Sequence, residues 1–276
     1  MKQPYLHIEQ KGQGQPIVVL HGWGVNNQIF APLQQALANY SAHYVDLPGF
    51  GDSQPSDITK IESTTEQTGD FCLAVVDDWV DSIMNHVPQG AIWIGWSLGG
   101  LVATRAAQKY PQQVSALATI ASSPFFVAEP EKSWPGIAPK ILEQFVHQLQ
   151  QHPKRTIERF LAIQAMGSDS AKQDIKVIKQ LVLEKPLPKP EVLGLGLQLL
   201  QHVNLKGLTS EIKQPWLRLW GRKDTLVPLQ LSSQLYQADH IQDIVFENAS
   251  HAPFISHAEE FNTALCHWLN MVVNKH

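Results

Sequence analysis

Cysteine and charged residues are both scarce in this sequence of 276 residues. The 2 cysteines, Cys72 and Cys266, each lie in an apolar stretch with helical character, so a disulfide framework is excluded and one bridge is the most that could form. Charged residues make up 17% of the chain and hydrophobic residues 43%, which excludes an intrinsically disordered protein. We therefore predict a folded globular protein with two buried free thiols, located in the cytoplasm.

Signals for a membrane, a metal and a nucleotide are also missing. No apolar run approaches the roughly eighteen residues that a membrane-spanning helix needs, and the N-terminal segment contains no apolar signal core. The sequence has no cysteine cluster and no His-Glu-x-x-His motif, and the stretch 49–54 lacks the third glycine of a dinucleotide-binding loop. We expect no cofactor, no metal, no nucleic-acid partner, no membrane association, and a monomer.

Short apolar runs that predict buried strands alternate with helical stretches over the first 124 residues. The predicted strands are 17–20, 43–46, 91–95 and 116–121. Helices are predicted over 71–86 and 98–110, and the second ends before Pro111. Nearly continuous apolar strands separated by helices are typical of a parallel sheet that is covered by helices on both faces.

The pattern changes after Pro124. Residues 125–214 are predicted to be mostly helical, and 7 prolines interrupt them. The earlier pattern then returns, with predicted strands and a final helix at 216–220, 243–246 and 259–273. We therefore predict an α/β core formed by residues 1–124 and 215–276, with residues 125–214 inserted into it as a helical cap.

The segment Gly95-Trp96-Ser97-Leu98-Gly99 carries the strongest functional signal in the sequence. It matches the G-x-S-x-G pattern and lies between a predicted strand and a predicted helix, which is the context of the nucleophile elbow of serine hydrolases. Glycine two residues before and after the serine lets neighbouring backbone approach closely. The following helix directs its first N–H groups towards an anion that forms beside the serine oxygen. These features predict that Ser97 is a nucleophile.

A serine nucleophile needs a base, and the base needs an acid that orients it. In α/β-hydrolases the chain order is serine, then an acid, then histidine, with the last two on loops after late strands. Asp224 and His251 each follow one of the two late predicted strands. Asp46 and Asp243 are weaker candidates for the acid, because Asp46 precedes a structural turn and Asp243 begins its strand. We predict that Ser97, Asp224 and His251 form a catalytic triad.

The oxyanion of an acyl-transfer reaction needs two preorganised donors, usually backbone N–H groups. Leu98, directly after the nucleophile, is predicted to supply one. The loop His21-Gly22-Trp23-Gly24 follows the first predicted strand, and its position predicts the backbone N–H of Trp23 as the second. The alternative is that this glycine-rich loop is only a tight connection.

Basic residues are concentrated in the predicted cap, which holds 12 Lys and Arg residues against 9 Asp and Glu, while the rest of the chain holds 9 against 16. Arg155 and Arg159 are spaced i, i+4, and Lys172, Lys176 and Lys179 are spaced i, i+4, i+7, so each set is predicted to share one helix face. A basic segment in an acidic protein suggests an acidic partner for that segment. The alternative is a basic face that contacts only solvent.

Taken together, the motifs resemble those of the biotin-pathway carboxylesterases, the BioH family. The resemblance extends over nearly the whole chain, and its general α/β-hydrolase motifs are His21-Gly22-Trp23-Gly24, Val45-Asp46-Leu47-Pro48-Gly49-Phe50-Gly51, Gly95-Trp96-Ser97-Leu98-Gly99-Gly100-Leu101 and His251-Ala252-Pro253-Phe254-Ile255-Ser256-His257. Two stretches in the predicted cap are more particular to the family, Trp134-Pro135-Gly136-Ile137 and Glu158-Arg159-Phe160-Leu161-Ala162.

The resemblance implies an α/β-hydrolase fold and a carboxylesterase that removes the methyl ester from pimeloyl-acyl carrier protein in biotin biosynthesis. It also implies activity on short-chain p-nitrophenyl esters. It implies the triad Ser97, Asp224 and His251, with Trp23 and Leu98 beside the bound ester. A channel for the acyl group would be lined by Phe160, Leu161, Ala162, Ile163 and Gln164.

The resemblance also implies that basic residues on the cap bind the acidic carrier protein. Arg155, Arg159, Lys172 and Lys176 match the positions of the family's docking arginines. Two of them are lysines here, which keep the positive charge but lose the bidentate geometry of a guanidinium group.

Two other functions remain open from the sequence. One is a broad-specificity short-chain carboxylesterase or a C–C bond hydrolase on the same fold. The other is a non-catalytic receptor that binds a ligand in a hydrolase fold, which a complete triad with both oxyanion loops argues against. The sequence does not determine the acyl chain-length preference, because that depends on how the cap helices pack.

Overall fold

A seven-stranded sheet forms the centre of the computed structural model, which describes residues 5–56, 69–183 and 185–274. The strands in chain order are β1 Ile8–Lys11, β2 Pro16–Leu20, β3 Ser41–Val45, β4 Ala91–Trp96, β5 Val114–Ile120, β6 Trp216–Gly221 and β7 Ile241–Phe246. Their order across the sheet is β1-β3-β2-β4-β5-β6-β7, and every neighbouring pair is parallel except β1 with β3. The predicted α/β fold with a mostly parallel sheet is therefore confirmed.

The six apolar runs form β2 to β7, but β1 was not predicted from the sequence. Its residues, Ile8-Glu9-Gln10-Lys11, contain a single apolar side chain and are partly exposed at the edge of the sheet. The strand exists because its backbone pairs with β3, where Ile8 lies opposite Val45. Pairing of this kind depends on the partner strand, so a local hydrophobic pattern does not reveal it.

Eight α-helices are present in the described part of the chain. They are α1 Gly69–Met84, α2 Leu98–Lys109, α3 Pro139–Gln151, α4 Pro153–Ala165, α5 Ala171–Val182, α6 Pro190–His202, α7 Pro253–Ser256 and α8 Ala258–Val273. The predicted helices 71–86, 98–110 and 259–273 correspond to α1, α2 and α8. All 8 tryptophans are buried.

The four helices α3 to α6 lie between β5 and β6 in the chain. Helix α3 packs against α4 and α6, and α4 packs against α5, while α6 also packs against α1 and α5 against α7. Pro139, Pro153 and Pro190 each occupy the first position of a helix. Proline is well tolerated there, because the N–H that it lacks would have no partner inside the helix. Three of the 7 prolines that interrupt the sequence pattern therefore mark the starts of α-helices. The cap boundaries at 125–214 stay a prediction.

Both cysteines are free within the described residues, as predicted, but they differ in exposure. Cys72 on α1 is buried, whereas Cys266 on α8 is only partly buried, which corrects the expectation of two buried thiols. None of the helices in the described ranges has the length and apolar character required to cross a membrane.

Candidate active site

Ser97 lies on the sharp turn between β4 and α2, with φ 54° and ψ −119°. A positive φ is unfavourable for a residue with a side chain, so the surrounding structure must hold this conformation in place. Close packing explains the flanking glycines. A Cβ at Gly95 would lie 2.3 Å from the Gly99 carbonyl oxygen, and a Cβ at Gly99 would lie 2.3 Å from the Leu20 carbonyl oxygen.

The three predicted triad residues are joined by two short hydrogen bonds. His251 Nε2 lies 2.9 Å from Ser97 Oγ, and His251 Nδ1 lies 2.7 Å from Asp224 Oδ2. All three side chains are buried, with relative exposures of 2% for Ser97, 5% for Asp224 and 0% for His251. Burial strengthens the interaction between the imidazole and the carboxylate, because water does not screen it.

Strand topology brings these residues together. Ser97, Asp224 and His251 follow β4, β6 and β7, whose carboxyl ends lie at the same edge of the parallel sheet. The loops after β6 and β7 then pack directly on each other. A Cβ at Gly221 would lie 2.0 Å from the Ser250 carbonyl oxygen, so only glycine allows this approach.

Asp224 is held by backbone donors in its own loop. Its Oδ1 accepts hydrogen bonds from the N–H groups of Leu226 at 2.8 Å and Val227 at 3.0 Å, which leaves Oδ2 for His251. The carboxylate therefore has a single orientation towards the imidazole.

The backbone of His251 is also held on both sides. Trp96 Nε1 donates to the His251 carbonyl at 2.8 Å, and the His251 N–H donates to the Gln164 carbonyl on α4 at 3.1 Å. The first contact comes from the residue next to the nucleophile and the second from the predicted cap. The position of the histidine therefore depends on both the elbow and α4.

The predicted oxyanion loop packs against the elbow. A Cβ at Gly22 would lie 3.2 Å from Ser97 Cβ and 3.1 Å from the Trp96 ring, so the loop after β2 reaches the nucleophile. Within the described residues, the backbone N–H groups of Trp23 and Leu98 donate to no other protein group. Two free donors beside a serine are what an oxyanion requires.

His21 orients the peptide that carries one of these donors. Its Nε2 accepts from the Leu47 N–H at 3.0 Å, so its proton lies on Nδ1, which donates to the Gly22 carbonyl at 2.7 Å. Burial lowers the pKa of His21 more than the nearby Asp46 carboxylate raises it, which keeps the ring neutral. The Gly22 carbonyl and the Trp23 N–H belong to one planar peptide unit and point in opposite directions. His21 therefore sets the direction of the Trp23 N–H.

Comparison with known proteins shows the family of this chain. A family model described as the alpha/beta hydrolase fold matches residues 15–258. A pimeloyl-(acyl-carrier protein) methyl ester esterase from Shewanella woodyi is 55% identical over 267 residues, covering 96% of this chain and 98% of the relative. The protein of the same name from Shewanella oneidensis is 51% identical over 264 residues, covering 96% and 94%.

This chain belongs to the pimeloyl-(acyl-carrier protein) methyl ester esterase family. The resemblance stated from the sequence motifs is therefore confirmed, and the protein is an enzyme of the α/β-hydrolase superfamily. An esterase from Exiguobacterium antarcticum superimposes with a TM-score of 0.78 at 21% identity, covering 98% of this chain and 96% of that one. At that identity the likeness supports the fold alone.

In this member of the esterase family, the predicted channel residues lie on α4. Phe160, Leu161 and Gln164 are buried, and Ala162 and Ile163 are partly exposed. The Phe160 ring contacts the Trp23 indole edge-on, with 4.6 Å between the ring centroids. Both amide atoms of Gln164 lack a hydrogen-bond partner within the described residues, although the side chain is fully buried.

The predicted docking residues lie on two adjacent helices of the enzyme. Arg155 and Arg159 are exposed on α4, and Lys172 and Lys176 are exposed on α5. Arg159 also contacts α3, where it donates to Gln148 Oε1 at 3.0 Å.

A shallow depression runs along the outside of α5. It is bordered by Lys172, Ile175, Lys176, Lys179, Gln180 and Leu183. The lysines at i, i+4 and i+7 therefore share one face, as their spacing predicted.

One group of possible metal ligands exists among the described residues. His7, Asp46 and Asp52 offer ligand atoms within 4.8 Å of one another. The ammonium group of Lys185 lies 2.8 Å from Asp46 Oδ2 and 2.9 Å from Asp52 Oδ2. Burial lowers the pKa of Lys185, but the two carboxylates together raise it by more through hydrogen bonds and charge. The net pKa is therefore raised and the lysine is charged. A cation supplied by the protein therefore already neutralises this acidic pair.

Two residues that support the site were not identified from the sequence. Ser122 Oγ donates to the Ser97 carbonyl at 2.8 Å and holds the elbow from the end of β5. Lys185 links the segment between α5 and α6 to the buried Asp46 and Asn27 and to the exposed Asp52. The Ser122-Ser123-Pro124 sequence after a strand was a weak signal for the first, whereas nothing local distinguished Lys185 from the other lysines.

Proposed function

We propose that this enzyme hydrolyses the methyl ester of pimeloyl-acyl carrier protein to pimeloyl-acyl carrier protein and methanol, in biotin biosynthesis. The observation that carries the proposal is the buried hydrogen-bonded chain from Ser97 through His251 to Asp224, beside two free backbone donors. The names of the Shewanella relatives support the choice of substrate.

In the first half of the reaction, His251 Nε2 takes the proton of Ser97 Oγ as the oxygen attacks the ester carbonyl. Asp224 keeps the other imidazole proton on Nδ1 and stabilises the imidazolium that forms. The N–H groups of Trp23 and Leu98 hold the oxyanion, and in other hydrolases loss of one such donor costs about 3 kcal/mol of transition-state stabilisation. His251 then protonates the methoxide, methanol leaves, and an acyl-enzyme remains.

In the second half, water enters from the side that methanol left. His251 removes a proton from the water, which attacks the acyl-enzyme, and Ser97 is released with its proton restored. The product is the free distal carboxylate of the pimeloyl group. The proposed reaction uses no metal or cofactor.

We place the acyl chain along α4, against Phe160, Leu161, Ala162, Ile163 and Gln164. The contact between Phe160 and Trp23 supports this, because it puts α4 directly beside one oxyanion donor. Gln164 supports it further, since a buried amide without a protein partner can bond to a polar group of the substrate.

The acyl carrier protein is proposed to dock on Arg155, Arg159, Lys172 and Lys176. Within the described residues no carboxylate forms an ion pair with any of the four, so their charges are available to a partner. Ile175 and Leu183 border the same depression as the lysines and add apolar surface to it. An acidic helix with a few apolar side chains would fit such a face.

The first experiment compares hydrolysis of the pimeloyl-carrier methyl ester with that of free dimethyl pimelate at low and high salt. We expect a preference for the carrier-bound ester that falls as salt screens the basic residues. The double variant Lys172→Glu, Lys176→Glu should lose this preference and keep its activity on the free ester. Lys140→Glu, on the exposed side of α3, makes the same kind of charge change away from α5 and should keep the preference.

Equal, salt-independent activity on both esters would instead indicate a broad carboxylesterase.

A separate test concerns the nucleophile. Ser97→Ala should abolish covalent labelling by a fluorophosphonate, and labelling that persists in this variant would remove Ser97 from its proposed role. Binding of these esters without hydrolysis would instead indicate a non-catalytic receptor.

The cytoplasmic location and the monomeric state are also proposals. Two unbonded cysteines are compatible with a reducing compartment. Fractionation of cells and light scattering of the purified protein would test the two statements.

A further inference from the structure

The indole ring of Trp23 is enclosed by two cap helices. Its Nε1 donates to the Leu193 carbonyl on α6 at 2.8 Å, and its ring meets Phe160 of α4 edge-on. The residue has a relative exposure of 0%. Trp23 therefore joins the loop after β2 to the cap, although Leu193 is 170 residues away in the chain.

Gly196 completes this enclosure. A Cβ at this position would lie 2.6 Å from Trp23 Cδ1 and 2.9 Å from Trp23 Nε1, well inside the 3.5 to 4.0 Å at which non-bonded carbon atoms pack. Gly196 follows Leu193 by three residues, so the bare Cα and the accepting carbonyl lie on the same side of α6.

A second glycine on the same helix shows that the contact is particular to one position. Glycine in a helix interior costs about 1 kcal/mol relative to alanine, so each one needs a reason. A Cβ at Gly194 would meet nothing within 4 Å, whereas a Cβ at Gly196 would collide with the indole. Only the glycine at 196 is explained by the need to accommodate Trp23.

We propose that Leu193 and Gly196 of α6 are positioning residues for the oxyanion site, because they hold the Trp23 side chain in the place that aims its backbone N–H at the nucleophile. This inference rests on the proposed role of Trp23 as an oxyanion donor. His21 holds the preceding carbonyl on one side, and α6 holds the indole on the other. With Phe160 packed edge-on against it, the fully buried ring has no free space into which it could turn.

The test is Gly196→Ala, with Gly194→Ala as the matched control on the same helix. Activity is measured with p-nitrophenyl acetate, which needs no carrier protein. We expect Gly196→Ala to lower kcat at least tenfold with little change in KM, because oxyanion contacts act mainly in the transition state. Gly194→Ala should stay within twofold of the native enzyme. A general loss of cap structure would change KM and the thermal midpoint as well.

A double-mutant cycle then asks whether the effect passes through the indole. Trp23→Ala removes the ring and keeps the backbone N–H. In that background Gly196→Ala should have almost no further effect on kcat. If Gly196→Ala does not fold, Trp23→Phe tests the same contact without a clash, since it removes the donor to the Leu193 carbonyl together with part of the ring, and it should lower kcat severalfold at unchanged KM.

Two results would overturn the inference in an otherwise active enzyme. One is a Gly196→Ala variant with the same kcat as Gly194→Ala. The other is a Gly196→Ala substitution that lowers kcat by the same factor in the native protein and in Trp23→Ala. Failure of the proposed function would give a different result, because the native protein would then not hydrolyse the carrier-bound ester. The comparison of the variants on p-nitrophenyl acetate would still test the inference.

Discussion

Replacing Asp224 by asparagine tests the proposed mechanism most directly, because the structure determines which way the new amide must turn. Asp224 Oδ1 accepts two N–H groups, from Leu226 and Val227. An amide NH₂ in that position would face two donors, so the amide oxygen must take the place of Oδ1. The NH₂ group then faces His251 Nδ1, where the native carboxylate accepts at 2.7 Å.

This orientation forces the wrong tautomer on the imidazole. Nδ1 must accept a hydrogen bond from the NH₂ group, so the ring proton moves to Nε2, which faces Ser97 Oγ and can no longer take its proton. The equivalent change in a serine protease lowers kcat about 10⁴-fold, which corresponds to roughly 5 kcal/mol at about 1.4 kcal/mol per factor of ten. We expect a loss of that order here, with KM nearly unchanged.

The assay is steady-state hydrolysis of p-nitrophenyl acetate by Asp224→Asn and by the native enzyme, with the thermal midpoint recorded for both. Asp239→Asn makes the same chemical change at an exposed position and serves as the control. The two backbone donors keep an acceptor in Asp224→Asn, so the fold should survive. A kcat within tenfold of the native value in a folded variant would refute the tautomer argument.

Three further predictions concern buried groups outside the triad. Lys185→Met leaves the fully buried Asp46 without its cation and should lower the free energy of unfolding by about 3 kcal/mol, and an unchanged denaturant midpoint would contradict this. Burial lowers the pKa of His21 below 6.5, so the stability that its neutral form contributes is present above pH 6.5 and is lost as the pH falls. The native enzyme should therefore lose more stability between pH 7.5 and 5.5 than His21→Gln, and equal losses would count against the assignment. Burial raises the pKa of Cys72 to about 11, so at pH 8 a thiol reagent should modify the partly exposed Cys266 first, and Cys72 only after unfolding.

The sequence by itself predicted the residues of the candidate site and determined their order along the chain. The elbow, the acid and the base can be identified because each is tied to a local pattern, a glycine-flanked turn or a loop directly after an apolar strand. Alternation of strands and helices then predicts a mostly parallel sheet, and parallel strands bring the loops after them to one edge. Ser97, Asp224 and His251 could therefore be predicted to form a triad before any distance was known.

Only the tertiary structure decided how helices α4 and α6 meet the candidate site. The Trp23 indole binds α6, the His251 backbone binds α4, and Lys185 binds Asp46, and each contact joins residues more than 80 positions apart. Gly194 and Gly196 look alike in the sequence, yet only the second faces a tryptophan. Hydrophobic periodicity shows which face of a helix is buried, but not which residue lies opposite, because that depends on how separate elements pack in three dimensions.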